Sequence, residues 1–342
     1  MNTRVLEVSD ESLRLAGEII ASGELVAFPT ETVYGLGANA LDPRAVGRIF
    51  EAKGRPGDNP LIVHVSNMEG VKPLISGDMP ESAGRLAEYF WPGPMTLICS
   101  KSPLIPSEVS AGLDTVGIRM PSSESARRLI ELAKVPIAAP SANLSGRPSP
   151  TTARHVLEDM DGRIPLILDG GACEVGVEST VIDCTCSPVR ILRPGGVTPE
   201  MVMGILGEVR VDESVLRPLK STDTVRSPGM KYRHYAPKGK FTIVKGKNAV
   251  KRLMDLYDQS LSAGENPCIL AGRGVDYGQR RVIDLGDGVN GAASNLFSDL
   301  RLADSMGAGH IYALAMDTRG VGLAVMNRMG RAAAFDIIEA ED

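Results

Sequence analysis

LVAFPTETVYGLGANALDPRAVGRIFEAKGRPGDNPLIVHV, residues 25–65, holds a complete strand, helix and strand signal. LVAF at 25–28 is a short apolar run of strand type, and LIVHV at 61–65 is a second. Between them Asp42 and Pro43 form a cap and first-turn pair. They open a helix whose apolar stripe is Val46, Ile49 and Phe50. Working outward, further apolar runs recur as MTLIC (95–99), VGIRM (116–120), PIAA (136–139), PLIL (165–168), STVID (179–183) and VRIL (189–192). Helix-like stretches separate several of them, so residues 3 to about 205 predict an α/β fold with a mixed sheet. From 241 onward strand and helix patterns alternate again through FTIVK, CILA, RVIDL, IYALAM and AFDII, which predicts a smaller parallel, Rossmann-like α/β domain. AGRG at 271–274 lacks the third glycine of a dinucleotide fingerprint.

The expected organisation is a first domain over 1–210, a basic linker over 211–240 and a C-terminal domain over 241–342. A chain of 342 residues exceeds what one hydrophobic core usually organises, in keeping with that division. Residues 217–240 carry seven Lys or Arg and one Asp, whereas the whole chain is net −5. SPGMKYRHYAP within it reads either as part of a solvated tether or as an ordered flap. The acidic balance argues against a surface that grips a polyanion throughout, and 4% aromatics leave few rings for stacked bases. An N-terminus without an apolar signal core, and the lack of any long apolar run, predict a cytoplasmic protein. The five cysteines (99, 173, 184, 186 and 268) contain no CxxC pair and predict packing rather than a disulfide frame or thiolate metal site. Cys184 and Cys186 share one face of an expected strand.

Lys53 continues the inward stripe one turn beyond Phe50, so it must reach an anion, snorkel out or complete the helix dipole. Arg55 follows in a Gly-Pro-Gly turn and can converge on the same point. His64 alternates with Ile62 and faces one side of the sheet, as a core residue or a site residue. Thr30, Thr32 and Tyr34 crowd hydroxyls after the first strand, where Gly35 and Gly37 are expected to let backbone approach a ligand. PIAA ends in PSANLSGRPSPTT, richer in hydroxyls (Ser141, Ser145, Ser149, Thr151, Thr152) than a capping loop needs. Arg119 and Arg193 close two strands and suit carboxylate or phosphate. P-loop, HExxH and GxSxG motifs are missing from the sequence, which leaves a cleft suited to holding negative charge by position and electrostatics.

Taken together, PTETVYGLGANA, KGRPGDNPLIVHV, WPGPMTLI, GIRMP, APSANLSGRPSPTT, GVESTVID and ILRPGG resemble the YrdC-like family of threonylcarbamoyl-AMP synthases, in the long two-domain form. The family's K-x-R and S-x-N signature stands here as Lys53, Arg55, Ser141 and Asn143, the residues that the resemblance makes catalytic. It implies a twisted mixed sheet around a basic cavity and an enzyme that joins L-threonine, bicarbonate or CO2, and ATP into threonylcarbamoyl-AMP with release of pyrophosphate. The product would pass to a tRNA threonylcarbamoyl transferase complex. By motif, Lys53, Arg55, Asn59, Ser141, Asn143, Thr151 and Arg193 would bind ATP. The SPGMKYRHYAP flap is expected to fold over the cleft, exclude solvent and bring Lys231, Arg233 or His234 towards the triphosphate, with His234 counted among the ATP-binding residues. Thr32, His64, Arg119, Ser179 and Thr180 would hold threonine, Arg119 on its carboxylate. Magnesium is expected with ATP as a cosubstrate ion, without a protein metal site or prosthetic group. Two alternatives stand beside this: an RNA-binding module built on the basic linker, with possible tRNA contact, and a carbamoyl-adenylate-forming enzyme. The second is disfavoured by a chain without zinc-finger CxxC pairs.

Overall fold

The computed structural model describes residues 2–217 and 234–341. The flap residues Lys231 and Arg233, and most of SPGMKYRHYAP, lie outside the described residues. The described chain forms two compact units, one over 2–145 and 149–215, the other over 146–148, 216–217 and 234–341.

In the first unit the strands are β1 (Arg4–Glu7), β2 (Val26–Phe28), β3 (Gly35–Asn39), β4 (Ile62–His64), β5 (Met95–Ser100), β6 (Thr115–Arg119), β7 (Ile137–Ala138), β8 (Leu166–Asp169), β9 (Thr180–Asp183), β10 (Arg190–Arg193) and β11 (Arg210–Val211). They join in the order β1-β8-β2-β3-β7-β4-β6-β5-β9-β10-β11. Parallel pairs (β4 with β6, β5 with β9) alternate with antiparallel ones (β5 with β6, β4 with β7), so the sheet is mixed as expected. Its helices are α1 (Asp10–Ala21), α2 (Pro43–Lys53), α3 (Glu81–Phe90), α4 (Ser107–Ser110), α5 (Glu124–Ala133), α6 (Ala153–Met160) and α7 (Pro199–Leu206). Helices α1 and α5 pack Leu13, Ala16, Ile20, Leu129 and Ile130 against Val26 and Phe28 in one core, while Val46 and Ile49 of α2 join a larger one.

Helix α2 is built as its sequence predicts. Asp42 caps it by accepting from the Arg44 N–H, Pro43 takes the first turn, and Gly54 ends it in the left-handed region at φ 60°. That abrupt stop delivers Lys53 into the interior. The GLGAN segment departs from expectation: it is strand β3, not a ligand-approaching loop. A Cβ on Gly37 would lie 2.8 Å from Phe28 and 2.9 Å from Ile137, so this glycine serves sheet packing.

The second unit carries β12 (Lys240–Lys245), β13 (Pro267–Ala271), β14 (Val282–Asp284), β15 (His310–Leu314) and β16 (Ile337–Glu339), ordered β14-β13-β15-β12-β16. Every pairing in it is parallel, with helices α8 (Ala249–Ser262), α9 (Gly288–Ser305) and α10 (Gly322–Ala332) between strands, which is the expected Rossmann-like order. Among the described residues no helix is long and apolar enough to cross a membrane. Cys99, Cys184 and Cys268 are buried, and burial pushes the Cys99 thiol up to about 12 and the Cys268 thiol up to about 11, in line with packing.

Candidate active site

Sheet register decides which polar side chains share a face. His64 of β4 is paired with Arg119 of β6, Arg119 with Thr96 of β5, Thr96 with Val181 of β9, and Val181 with Arg193 of β10. Directly paired residues point to the same side, so five neighbouring strands place His64, Arg119, Thr96 and Arg193 in one row. All four are buried. Ser179, just before β9, ties the row together. Its hydroxyl lies 2.8 Å from Thr96 Oγ1 and accepts from Arg193 Nη2 at 3.1 Å, while its carbonyl accepts from Arg193 Nε at 3.1 Å. Thr180 is engaged elsewhere: its hydroxyl donates to the Val197 carbonyl at 2.6 Å and accepts from the Val197 N–H at 3.1 Å. Thr180 therefore braces the RPGG turn, and Ser179 is the member of the pair that meets the row.

Two nitrogens of the row have no hydrogen-bond partner among the described residues: His64 Nδ1 and Arg119 Nε. Leaving such a buried group unmatched costs about 1–3 kcal/mol, and a ligand oxygen would recover it. Burial, reinforced by the Arg119 charge, pushes His64 down to about 3, so the imidazole is neutral at neutral pH. Arg119 also donates from Nη2 to Glu31 Oε1 at 2.6 Å, in an ion pair whose side chains are each only 5% exposed. Burial alone would raise the Glu31 carboxyl, but the Arg119 charge and hydrogen bond hold it below its usual value.

A second cluster forms around Lys53, which is 3% exposed. Its Nζ donates to the carbonyls of Ser141 (2.5 Å) and Asn143 (2.6 Å), and the Ser145 N–H returns a bond to the Lys53 carbonyl at 2.9 Å. Ser141 Oγ donates to Asn143 Oδ1 at 2.5 Å. The loop that carries both leaves β7, whose Ile137 is paired with His64, so the Lys53 cluster begins one strand from the row. Burial, and after it the Arg55 charge, pushes the Lys53 ammonium well below its usual value, with Asp159 and Glu178 opposing. Arg55 is buried, donates from Nη2 to the Asn59 carbonyl at 3.3 Å and has its guanidinium carbon 6.0 Å from the Phe50 ring centre. The structure thus brings Lys53, Ser141 and Asn143 into direct contact, with Arg55 close enough to act on Lys53 electrostatically.

Other expected residues divide. Asn59 and Thr151 are buried; the Thr151 carbonyl accepts from the Cys173 N–H at 2.9 Å. Thr152 caps α6 instead, and Ser149 donates to Glu178 at 2.6 Å. Thr32 is fully buried, and its hydroxyl shares a 2.9 Å hydrogen bond with Thr30, whose own hydroxyl donates to the Val33 carbonyl at 2.6 Å. Tyr34 is not a ligand-facing hydroxyl, since it donates to the Gly171 carbonyl at 2.7 Å and accepts from the Gly170 N–H at 3.2 Å. His234 belongs to the second unit, with its ring 5.7 Å from that of Tyr235.

A family model described as "Telomere recombination" matches residues 18–195, and one described as "Threonylcarbamoyl-AMP synthase, C-terminal domain" matches 197–334. A curated threonylcarbamoyl-AMP synthase from Pyrococcus abyssi is 49% identical, the alignment covering 97% of both chains. The chain belongs to the threonylcarbamoyl-AMP synthase family. A Bacillus subtilis member of the family is 43% identical over 98% of this chain and 97% of its own length. A crystal structure of Pyrococcus abyssi Sua5 complexed with L-threonine matches with a TM-score of 0.92 and 47% identity, covering 99% of each chain. Thr96 of the row, and Glu31 that bonds to Arg119 from the turn after β2, are the polar residues that sequence reasoning passed over. Thr96 reads as an ordinary strand position in MTLIC, and Glu31 as one acid in a turn.

Proposed function

We propose that this chain condenses L-threonine, carbon dioxide supplied as bicarbonate, and ATP into threonylcarbamoyl-AMP and pyrophosphate. The observation that carries the reading is the buried register row, with unmatched nitrogens on His64 and Arg119, beginning one strand from the Lys53, Ser141 and Asn143 cluster. A carboxylate on Arg119 would satisfy its free Nε. Lys53, Arg55, Ser141, Asn143, Asn59, Thr151 and Arg193 would take the nucleotide, whose phosphates need donors and positive charge. His64, Arg119, Thr32 and Ser179 would take threonine.

Mechanistically, the threonine amine adds to carbon dioxide, forming the N–C bond and releasing one proton. The resulting N-carboxylate oxygen attacks the α-phosphorus of ATP, and the bond to pyrophosphate breaks. Negative charge builds on phosphate oxygens during this step, so fixed cations lower its barrier. The N-carboxylate is short-lived in water, and a buried row keeps solvent from it. Magnesium enters as the ATP complex, held by phosphate oxygens and water. His64, with its low pKa, acts as a neutral hydrogen-bonding group rather than as the base. The product would serve a transferase that modifies tRNA. Family membership favours this synthase over the RNA-binding and carbamoyl-adenylate alternatives.

The test is pyrophosphate release measured with ATP, magnesium, bicarbonate and threonine, omitting each in turn. Release that needs all of them supports the synthase; release without threonine, or with carbamoyl phosphate in place of bicarbonate, refutes it.

A further inference from the structure

Glu31 sits where three elements meet. Its Oε1 accepts from Arg119 at the end of β6, its Oε2 lies 3.5 Å from the Ser123 N–H at the start of α5, and its carbonyl accepts from the Val175 N–H at 2.8 Å, on the segment that leads to Ser179. The positive end of α5 favours a carboxylate at this point. A pair that served only the fold would satisfy both partners, yet Arg119 gives Glu31 a single nitrogen and keeps Nε without a partner among the described residues. His64, the register neighbour of Arg119, has its own unmatched nitrogen.

We propose that Glu31 is a positioning residue of the threonine subsite: it fixes the Arg119 guanidinium so that its remaining N–H groups meet the substrate carboxylate. The role rests on the function proposed above. Two physical consequences follow from the contact. The guanidinium plane is clamped at one end, which removes rotamer freedom before substrate arrives. Its charge is also compensated, so the subsite offers directed donors without a full net positive charge, a match for a zwitterionic amino acid rather than for a polyphosphate. Glu31 touches no reacting atom in this scheme; it acts through Arg119.

The test compares wild type with E31Q and E31D. Steady-state KM values for threonine and for ATP come from pyrophosphate release, threonine affinity without ATP from calorimetry, and folding from thermal melting. E31Q is expected to raise KM for threonine by roughly tenfold or more, the scale of one lost charge-assisted hydrogen bond, and to leave KM for ATP within about twofold. E31D, which keeps the charge, is expected to recover part of the threonine affinity. Equal increases in both KM values, or unchanged threonine affinity in folded E31Q, overturn the proposal. Should E31Q fail to fold, E31D carries the same comparison, and threonine binding equal to wild type overturns it there. A wild type that binds threonine calorimetrically but releases no pyrophosphate refutes the synthase activity separately, since the positioning role is then decided by the E31Q binding constant alone.

Discussion

Replacing Lys53 by methionine removes the charge and the donor while nearly conserving volume. In the free protein Lys53 Nζ donates to the Ser141 and Asn143 carbonyls at 2.5 and 2.6 Å, so Lys53→Met loses two bonds of about 0.5–1.5 kcal/mol each. It also relieves the burial of an ammonium, and these effects oppose one another. The change in stability should therefore stay within about 2 kcal/mol, which a denaturant titration will resolve. Catalysis has no such compensation: a donor lost from a preorganised site costs about 2.7–4 kcal/mol, or roughly 100- to 1000-fold in turnover. The pH dependence separates the two roles. Burial and Arg55 depress the free-protein Lys53, so a bound triphosphate should raise it again, and nucleotide binding should take up a proton at pH values between the free and the bound one. Apparent ATP affinity then falls as pH rises above the depressed value, and Lys53→Arg, which stays charged, should flatten that slope. In the free protein the unfolded chain holds this proton to higher pH than the folded one, so the Lys53 contribution makes stability rise with pH between the two values. The assays are pyrophosphate release and calorimetry in buffers of different ionisation enthalpy. A folded Lys53→Met enzyme with turnover within about threefold of wild type would refute the reasoning.

Removing Arg119 as Arg119→Ala strands the buried Glu31 carboxylate and should destabilise by about 3–5 kcal/mol, read from denaturant unfolding; a loss below 1 kcal/mol would contradict a structurally engaged pair. The His64 ring should show no titration from pH 8 to 5 by proton NMR, because burial and Arg119 push it down to about 3. Its depressed value makes its stabilising contribution complete above about 6.5 and lost as pH falls toward 3, so a midpoint near 6 would mean the ring is solvated. Gly37→Ala, whose Cβ would crowd Phe28 and Ile137, should lower stability by about 1–3 kcal/mol without touching the cationic clusters; an unchanged melting point would show that the sheet yields there.

The strands legible in the sequence are those buried on both faces, such as Met95–Ser100 and Thr180–Asp183, because a continuous apolar run survives reading in one dimension. Arg4–Glu7 is an edge strand with a largely exposed pattern, and Gly35–Asn39 is glycine-rich because Phe28 needs the space, so neither shows the usual alternation. Lys53 was legible because a helical period aims it inward. Glu31 was not: its partner Arg119 is 88 residues away, and only the strand order brings the turn after β2 to the end of β6. Hydroxyl counting also misled, since Tyr34, Thr30 and Thr180 bind neighbouring main chain, a choice that local sequence does not encode.

The most direct measurement incubates the protein with ATP, magnesium, carbon-labelled bicarbonate and tritiated threonine, then separates nucleotides by rapid chromatography. One adenine-containing product carrying both labels in equal amount, formed together with pyrophosphate, is the predicted result. Pyrophosphate without a doubly labelled nucleotide, or threonine label that never joins the adenylate, would contradict the account.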